Sequence, residues 1–247
     1  MRLNKSLGQH FLSDFSYLSR ESKLFNCNNK IVLEIGGGDG RLSKYIFREC
    51  KKLYIVEKDP RFIDYLTSYF SGFNNVNVMG DNFLEITPFY VDLIVGNVPY
   101  YISSEIVFKL LEWPVNHSFL MFQKEFGLKL LAEGKNKSRL SFFSQYYFNL
   151  KKHFIVPKKA FTSPPKVDSI LIEFNRKNVP PLSEEVHELI SFFYQHKPKT
   201  INASLKLYMK THKIIINISE ITEYLTKRIY ELNTNETLEL ANKILKK

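Results

Sequence analysis

The first two-thirds of the chain alternate between short apolar runs and stretches whose apolar residues recur at helical spacing. Ile31-Val32-Leu33-Glu34-Ile35 is a mostly β-branched run entering Gly36-Gly37-Gly38-Asp39-Gly40, and residues 41–50 then place Leu42, Tyr45 and Ile46 on one helical face. Further runs predict strands at 53–56, 76–79, 91–96 and 117–122, with helices at 14–23, 103–113 and 124–132. In the helix from Ser103 the apolar side is Ile106, Leu110 and Leu111, with Tyr101 and Phe108 expected in the core. Residues 145–156 and 167–174 read as two more strands, a terminal antiparallel pair. The pattern predicts an α/β, Rossmann-like fold: a mostly parallel seven-stranded sheet with helices on both faces.

Asn178-Val179-Pro180-Pro181 reads as a linker, and the pattern beyond it is helical only. Ser183 is placed to cap a helix opening with Glu184 and Glu185, acids that complement its dipole. Helical segments at 200–210, 219–226 and 234–246 follow, the last with Glu236 and Glu239 early and Lys243, Lys246 and Lys247 late. Two domains are expected, 1–177 and a small all-helical 178–247.

Composition narrows the partners. The chain has 247 residues, 44% hydrophobic and 24% charged, with a formal net charge of +10, a balance suited to phosphate-rich polymers. The basic residues cluster: seven against two acids over 151–177, and five lysines with no acid over 196–213. The loop Gly134-Lys135-Asn136-Lys137-Ser138 is a candidate phosphate contact. Only Cys27 and Cys50 occur, without a Cys-x-x-Cys or clustered histidines, which argues against a disulfide framework and a zinc site. No run is long enough to span a membrane, and Met1-Arg2-Leu3-Asn4-Lys5 opens no apolar signal segment, so a cytoplasmic protein is expected.

Candidate chemistry sits where the strands end. Gly36, Gly38 and Gly40 allow close backbone approach at a helix start, and the Gly-x-Gly-x-Gly spacing favours S-adenosylmethionine over a dinucleotide. Glu57 follows the next strand, 21 residues after Gly36, where an acid accepts ribose hydroxyls. Asp81, beside Asn82 and Phe83, ends a third strand and can accept from an adenine amino group. Asn97-Val98-Pro99-Tyr100 ends the fourth, supplying an amide, a carbonyl, a stiff turn and an aromatic face, which suit gripping a planar base by its exocyclic amine. Phe161, in the lysine- and proline-rich loop 157–166, can stack on a base. The arm Gly8-Gln9-His10 is too polar for packing alone.

Taken in order, these segments resemble the ribosomal RNA adenine N6,N6-dimethyltransferases over essentially the whole chain. The resemblance rests on Lys5-x-x-Gly8-Gln9-His10-Phe11-Leu12, Glu34-Ile35-Gly36-x-Gly38-x-Gly40, Glu57, Gly80-Asp81, Asn97-Val98-Pro99-Tyr100, Gln123-Lys124-Glu125 and Pro164-Pro165-Lys166-Val167-Asp168-Ser169. Lys197-x-Lys199-Thr200-x-Asn202 and Leu238-x-Leu240-Ala241-Asn242 add to it. It implies a methyltransferase using S-adenosyl-L-methionine, with His10, Leu12, Gly36, Gly38, Glu57, Asp81, Asn82 and Asn97 at the cofactor and no metal. The substrate implied is small-subunit ribosomal RNA or an immature small subunit, dimethylated at two adjacent adenines near the 3′ end by a protein that is monomeric when free. Gly37 departs from a proline common in the family, a change expected only to loosen the turn, and Thr162-Ser163 and Pro198 depart in segments expected to touch RNA.

The expected catalytic group is Asn97, Val98, Pro99 and Tyr100, with Phe161 across the target ring. Alternatives are a large-subunit methylase of the resistance type, a DNA adenine methylase, for which the helical domain is thin, and an RNA-binding assembly factor without catalysis.

Overall fold

The computed structural model describes residues 10–245. Two compact units emerge, one comprising the chain up to Leu128 together with Phe148–Lys177, the other Lys129–Tyr147 with Asn178–Lys247.

In the first unit, α1 (Phe15–Phe25) starts where Asp14 caps Ser16 N and ends at Asn26, left-handed at φ 45°. Then come β1 (Ile31–Ile35), α2 (Arg41–Ile46), β2 (Lys52–Val56), α3 (Pro60–Phe70), β3 (Val76–Met79), β4 (Leu93–Asn97), α4 (Ser103–Glu112), β5 (His117–Gln123) and α5 (Lys124–Leu130), whose last two residues belong to the other unit. The sheet is completed by β6 (Phe148–Val156) and β7 (Ser169–Arg176). Strand order is β3-β2-β1-β4-β5-β7-β6. The first five strands are parallel, and β7 runs antiparallel to both β5 and β6.

Side chains alternate across the sheet. Val32, Leu53, Ile55, Leu93, Val95, Phe119 and Met121 share one core with Leu18, Phe25, Leu42, Ile46, Leu66 and Phe70 of α1–α3. The intervening Leu33, Ile94, Leu120, Phe122 and Ile172 are buried too, which explains why the strands read as unbroken apolar runs. The same alternation turns Glu34 and Asn97 toward the face covered by α1.

The second unit contains α6 (Arg139–Tyr147), α7 (Glu184–Gln195), α8 (Ile201–His212) and α9 (Thr234–Leu245). Thr200 caps α8 by accepting from Ala203 N at 3.3 Å. Three expectations are corrected here. The strand expected over 145–156 begins only at Phe148, because residues 139–147 are helical; α6 is buried nearly all round, so no polar face marks it as a helix. Segment 219–226 forms a 3₁₀ turn, Ser219–Tyr224, instead of an α-helix. Lys137, expected in a phosphate-binding loop, is 2% exposed, its ammonium 3.3 Å from Thr234 Oγ1. The boundary at 177 is likewise incomplete: Phe143 stacks on His187 with centroids 4.0 Å apart, and Tyr146 Oη donates to Pro180 O, drawing 129–147 into the helical unit. Lys246 and Lys247 lie outside the described residues.

Among the described residues no helix is long and apolar enough to cross a membrane.

Candidate active site

From β1 the sheet extends one way through β2, and from β4 the other way through β5. Such a reversal leaves a crevice beyond the carboxyl ends of the strands, where open α/β sheets bind ligands. A cavity of about 320 Å³ lies there. It is lined by His10, Leu12, Gly36, Gly38, Glu57, Asp81, Asn82, Asn97, Val98, Pro99, Tyr100 and Phe161, so the structure brings these candidates together, while Gly40 does not line it.

Gly36 and Gly38 leave β1 at φ 76° and 51°, backbone that side-chain-bearing residues rarely adopt. A β-carbon at Gly38 would stand 2.7 Å from Phe11 Cε1. The turn is tied to β2: Gly38 N donates to Glu57 Oε2 at 2.7 Å, while Lys58 N and Asp59 N donate to Oε1 at 2.8 Å each. Three backbone donors thus aim the carboxylate, and Oε2 keeps acceptor capacity for a ligand hydroxyl. The space a β-carbon at Gly37 would need is taken by Ile55 and Leu66, so this glycine is a packing requirement and not merely a looser turn.

Asp81 is exposed at the cavity rim. Asn82 spends its side chain on the following 3₁₀ turn, accepting from Leu84 N at 3.2 Å and donating to Glu85 at 2.7 Å. Phe83 stacks on Trp113 with centroids 5.6 Å apart.

The opposite wall joins the N-terminal arm to the loop before β7. Leu12 and Phe161 form an antiparallel bridge, and Thr162 N donates to Phe11 O at 2.8 Å. His10 Nδ1 donates to Ser163 O at 2.6 Å, and its ring lies 5.8 Å from that of Tyr100, 23° from parallel. Phe161 is buried in the α1-side core as well as lining the cavity. Tyr101, expected in the core, is 53% exposed at the cavity wall, because the chain leaves β4 through a 3₁₀ turn, Tyr100–Ile102, and not directly into α4. Lys5, Gly8 and Gln9 lie outside the described residues.

At the centre is Asn97, the last residue of β4. Its Nδ2 donates to Glu21 Oε2 at 3.4 Å, while Oδ1 is buried without a hydrogen-bond partner. Tyr100 Oη meets Ser169 Oγ at 2.5 Å, and burial pushes its phenol up to about 12. Two buried acids lie beside Asn97 and the glycine turn: Glu34 lines the cavity, and Glu21 stands behind Asn97. Burial pushes Glu21 up to about 8, with the Asn97 amide pulling the other way. Glu34 is also raised to about 8 by burial, opposed by the hydroxyl of Ser43, which donates to it at 2.5 Å.

Sequence reasoning missed Glu21. The signal was present: the core stripe of α1 is Leu18, Glu21 and Phe25, an acid at an apolar position.

The chain is similar to known proteins in sequence and in fold. The family model described as ribosomal RNA adenine dimethylase matches residues 1–246. A ribosomal RNA small subunit methyltransferase A of Mycoplasmopsis synoviae is 33% identical, over 94% of this chain and 93% of its own length. A probable ribosomal RNA small subunit methyltransferase A of Methanococcus aeolicus is 32% identical over 100% and 98%. Among solved structures, a dimethyladenosine transferase from Plasmodium falciparum superposes with TM-score 0.81 at 27% identity, covering 94% of this chain and 96% of that one. The 23S rRNA methyltransferase ErmE shares the fold, with TM-score 0.69, 24% identity and coverage of 95% and 99%.

Proposed function

Because the chain belongs to the ribosomal RNA adenine dimethylase family and is a methyltransferase, we propose that it dimethylates N6 of two adjacent adenines near the 3′ end of small-subunit ribosomal RNA. The substrate is that RNA or an immature small subunit, met by a cytoplasmic monomer. The observation that carries this reading is the orphaned Oδ1 of Asn97, a buried acceptor at the mouth of β4. Leaving such an atom unpaired costs about 1–3 kcal/mol, and an exocyclic N–H of a bound base relieves it.

S-adenosyl-L-methionine, when bound, supplies a sulfonium methyl already activated for transfer. The residues present fit it: a glycine turn so close to Phe11 that a β-carbon is excluded, beside an acid aimed by three backbone donors. Gly36 and Gly38 would admit its backbone-facing edge, Glu57 a ribose hydroxyl and Asp81 the adenine amino group, with His10, Leu12 and Asn82 closing the walls.

Adenine N6 is a poor nucleophile because its lone pair is delocalised into the ring. The chain's task is to orient it and draw charge onto it. Asn97 Oδ1 and the Val98 main-chain carbonyl each accept an N6–H. Pro99 holds Val98 extended, fixing the direction of that carbonyl. The Tyr100 ring, fixed by Ser169 and flanked by His10, serves as a plate for the target base, with Phe161 closing the far side. Exposed lysines of β6 and the loop after it (Lys151, Lys152, Lys158, Lys159 and Lys166), with the basic run 196–213 in the helical region, meet phosphates.

The test is to incubate unmethylated small subunits with labelled S-adenosylmethionine and map the modified adenines by nuclease digestion and mass spectrometry. Two adjacent dimethyladenosines near the 3′ end are expected; labelling confined to a large-subunit RNA control overturns the assignment.

A further inference from the structure

Glu21 is 0% exposed in the middle of α1, on the stripe between Leu18 and Phe25. It does not line the cavity; Asn97 does. One of its oxygens accepts from Asn97 Nδ2 at 3.4 Å, and the other, Oε1, is buried without a partner. An acid in that setting is expensive, and an apolar residue would serve the helix better. We propose that Glu21 is a positioning residue for methyl transfer, whose carboxyl holds the Asn97 side chain with its amide nitrogen turned inward and its Oδ1 turned to the substrate amine. The inference deepens the reading given above and rests on it.

The argument follows from the asymmetry of an amide. Only the nitrogen end can donate, so an acceptor behind Asn97 selects one of two nearly isosteric orientations. With the carboxyl proton on Oε1, Oε2 is an acceptor only, so rotating the amide by half a turn would set Oδ1 against that oxygen and present N–H donors to an amine that needs acceptors. The contact also polarises the amide, making Oδ1 a stronger acceptor, since hydrogen bonds in a chain reinforce one another. The two orphaned oxygens, Glu21 Oε1 and Asn97 Oδ1, flank that single contact. Glu34 and Tyr100 are the titratable groups that feel Glu21. Neither is placed to substitute for it, because Glu34 is engaged by Ser43 and Tyr100 by Ser169.

The full chain is compared with Glu21→Met, an apolar residue of similar length, and Glu21→Gln, which keeps an acceptor for Nδ2–H. In Glu21→Met, kcat is expected to fall by about tenfold or more, the scale of a misoriented reacting group, with unchanged affinity for S-adenosylmethionine by calorimetry. Glu21→Gln is expected to restore most of the rate, a rescue that a merely space-filling role would not produce. Full kcat in the Met variant, or equal losses in both variants, overturns the proposal. A loss of cofactor affinity matching the loss of kcat overturns it too. The Asn97 side-chain amide resonance, assigned through Asn97→Ala, provides a readout without substrate: it shifts in Glu21→Met and stays near its native position in Glu21→Gln. An unshifted resonance in the Met variant overturns the contact, whatever the rate. If the native chain fails to methylate small-subunit RNA while the resonance shifts as expected, the substrate assignment falls and the Glu21–Asn97 contact stands. Glu21→Ala repeats both measurements should the Met side chain disturb folding.

Discussion

Tyr100 Oη and Ser169 Oγ lie 2.5 Å apart, linking the turn after β4 to the first residue of β7 across the carboxyl end of the sheet. Ser169 is fully buried, so the phenol is its protein partner and the ring plane is fixed by a strand that is remote in sequence. Tyr100→Phe keeps the ring and strands the serine hydroxyl: stability is expected to fall by about 1–3 kcal/mol with a mild effect on rate. Tyr100→Ala removes the plate, and a loss in kcat/KM of about tenfold or more is expected from stacking worth about 1–3 kcal/mol. Equal kinetic effects of the two variants would rule out stacking.

Asn97→Ala removes the acceptor and leaves the glycine turn and Glu57 intact. Transfer is expected to drop by about 10²–10³-fold, the cost of deleting one preorganised polar group at a reacting atom. Binding of S-adenosylmethionine, followed by calorimetry, should change little; a normal yield of dimethyladenosine would sink the mechanism.

The two buried acids make stability depend on pH. Glu21 and Glu34 both hold their protons up to about 8 in the folded chain, against an ordinary value of 4.5. Between those values the folded state binds more protons than the unfolded state, so stability falls as pH rises through that window and levels off above it. Thermal melts from pH 5 to 9 should show Tm decreasing, and Glu21→Gln should flatten the slope. A Tm that rises across the window would contradict the burial of these groups.

Gly96 brings β4 against β1. A β-carbon there would lie 2.6 Å from Ile35 O, a backbone atom held in the sheet. Gly96→Ala should therefore cost about 1–3 kcal/mol or more by overpacking, measured as a lower urea midpoint, and should shift Asn97 one residue on. An unchanged midpoint would mean the strands can part freely.

Lys158 and Lys159 are exposed on the turn before Phe161. Replacing both with Ala should reduce the slope of log affinity against log salt for RNA by about one per lysine. A slope equal to the native one would exclude both as phosphate contacts.

Much of this was legible in the sequence because the parallel strands are buried on both faces and punctuated at their ends. Glu57, Asp81 and Asn97 each follow such a run, which places them on one edge of the sheet from the pattern alone. What escaped reading depended on contacts distant in sequence. α6 is buried nearly all round, so its pattern lacks a helical face. Lys137 sits in a loop that reads as a candidate phosphate contact, yet it packs beside Thr234, far along the chain. Tyr101 followed an apolar strand, yet the turn after Pro99 aims it outward. Glu21 was visible only as an acid on an apolar stripe, and its reason lies on β4, 76 residues away.

The helical unit is assembled from two stretches, Lys129–Tyr147 and Asn178–Lys247, separated by the last two strands of the sheet. During synthesis α6 therefore emerges before α7, whose Tyr194 and His187 pack on Phe142 and Phe143. The helical unit cannot be shed or acquired as a cassette by one break in the gene. A premature stop near residue 177 would release a protein with a complete sheet and an aromatic helix stripped of its α7 partner, fit for aggregation and proteolysis instead of partial activity.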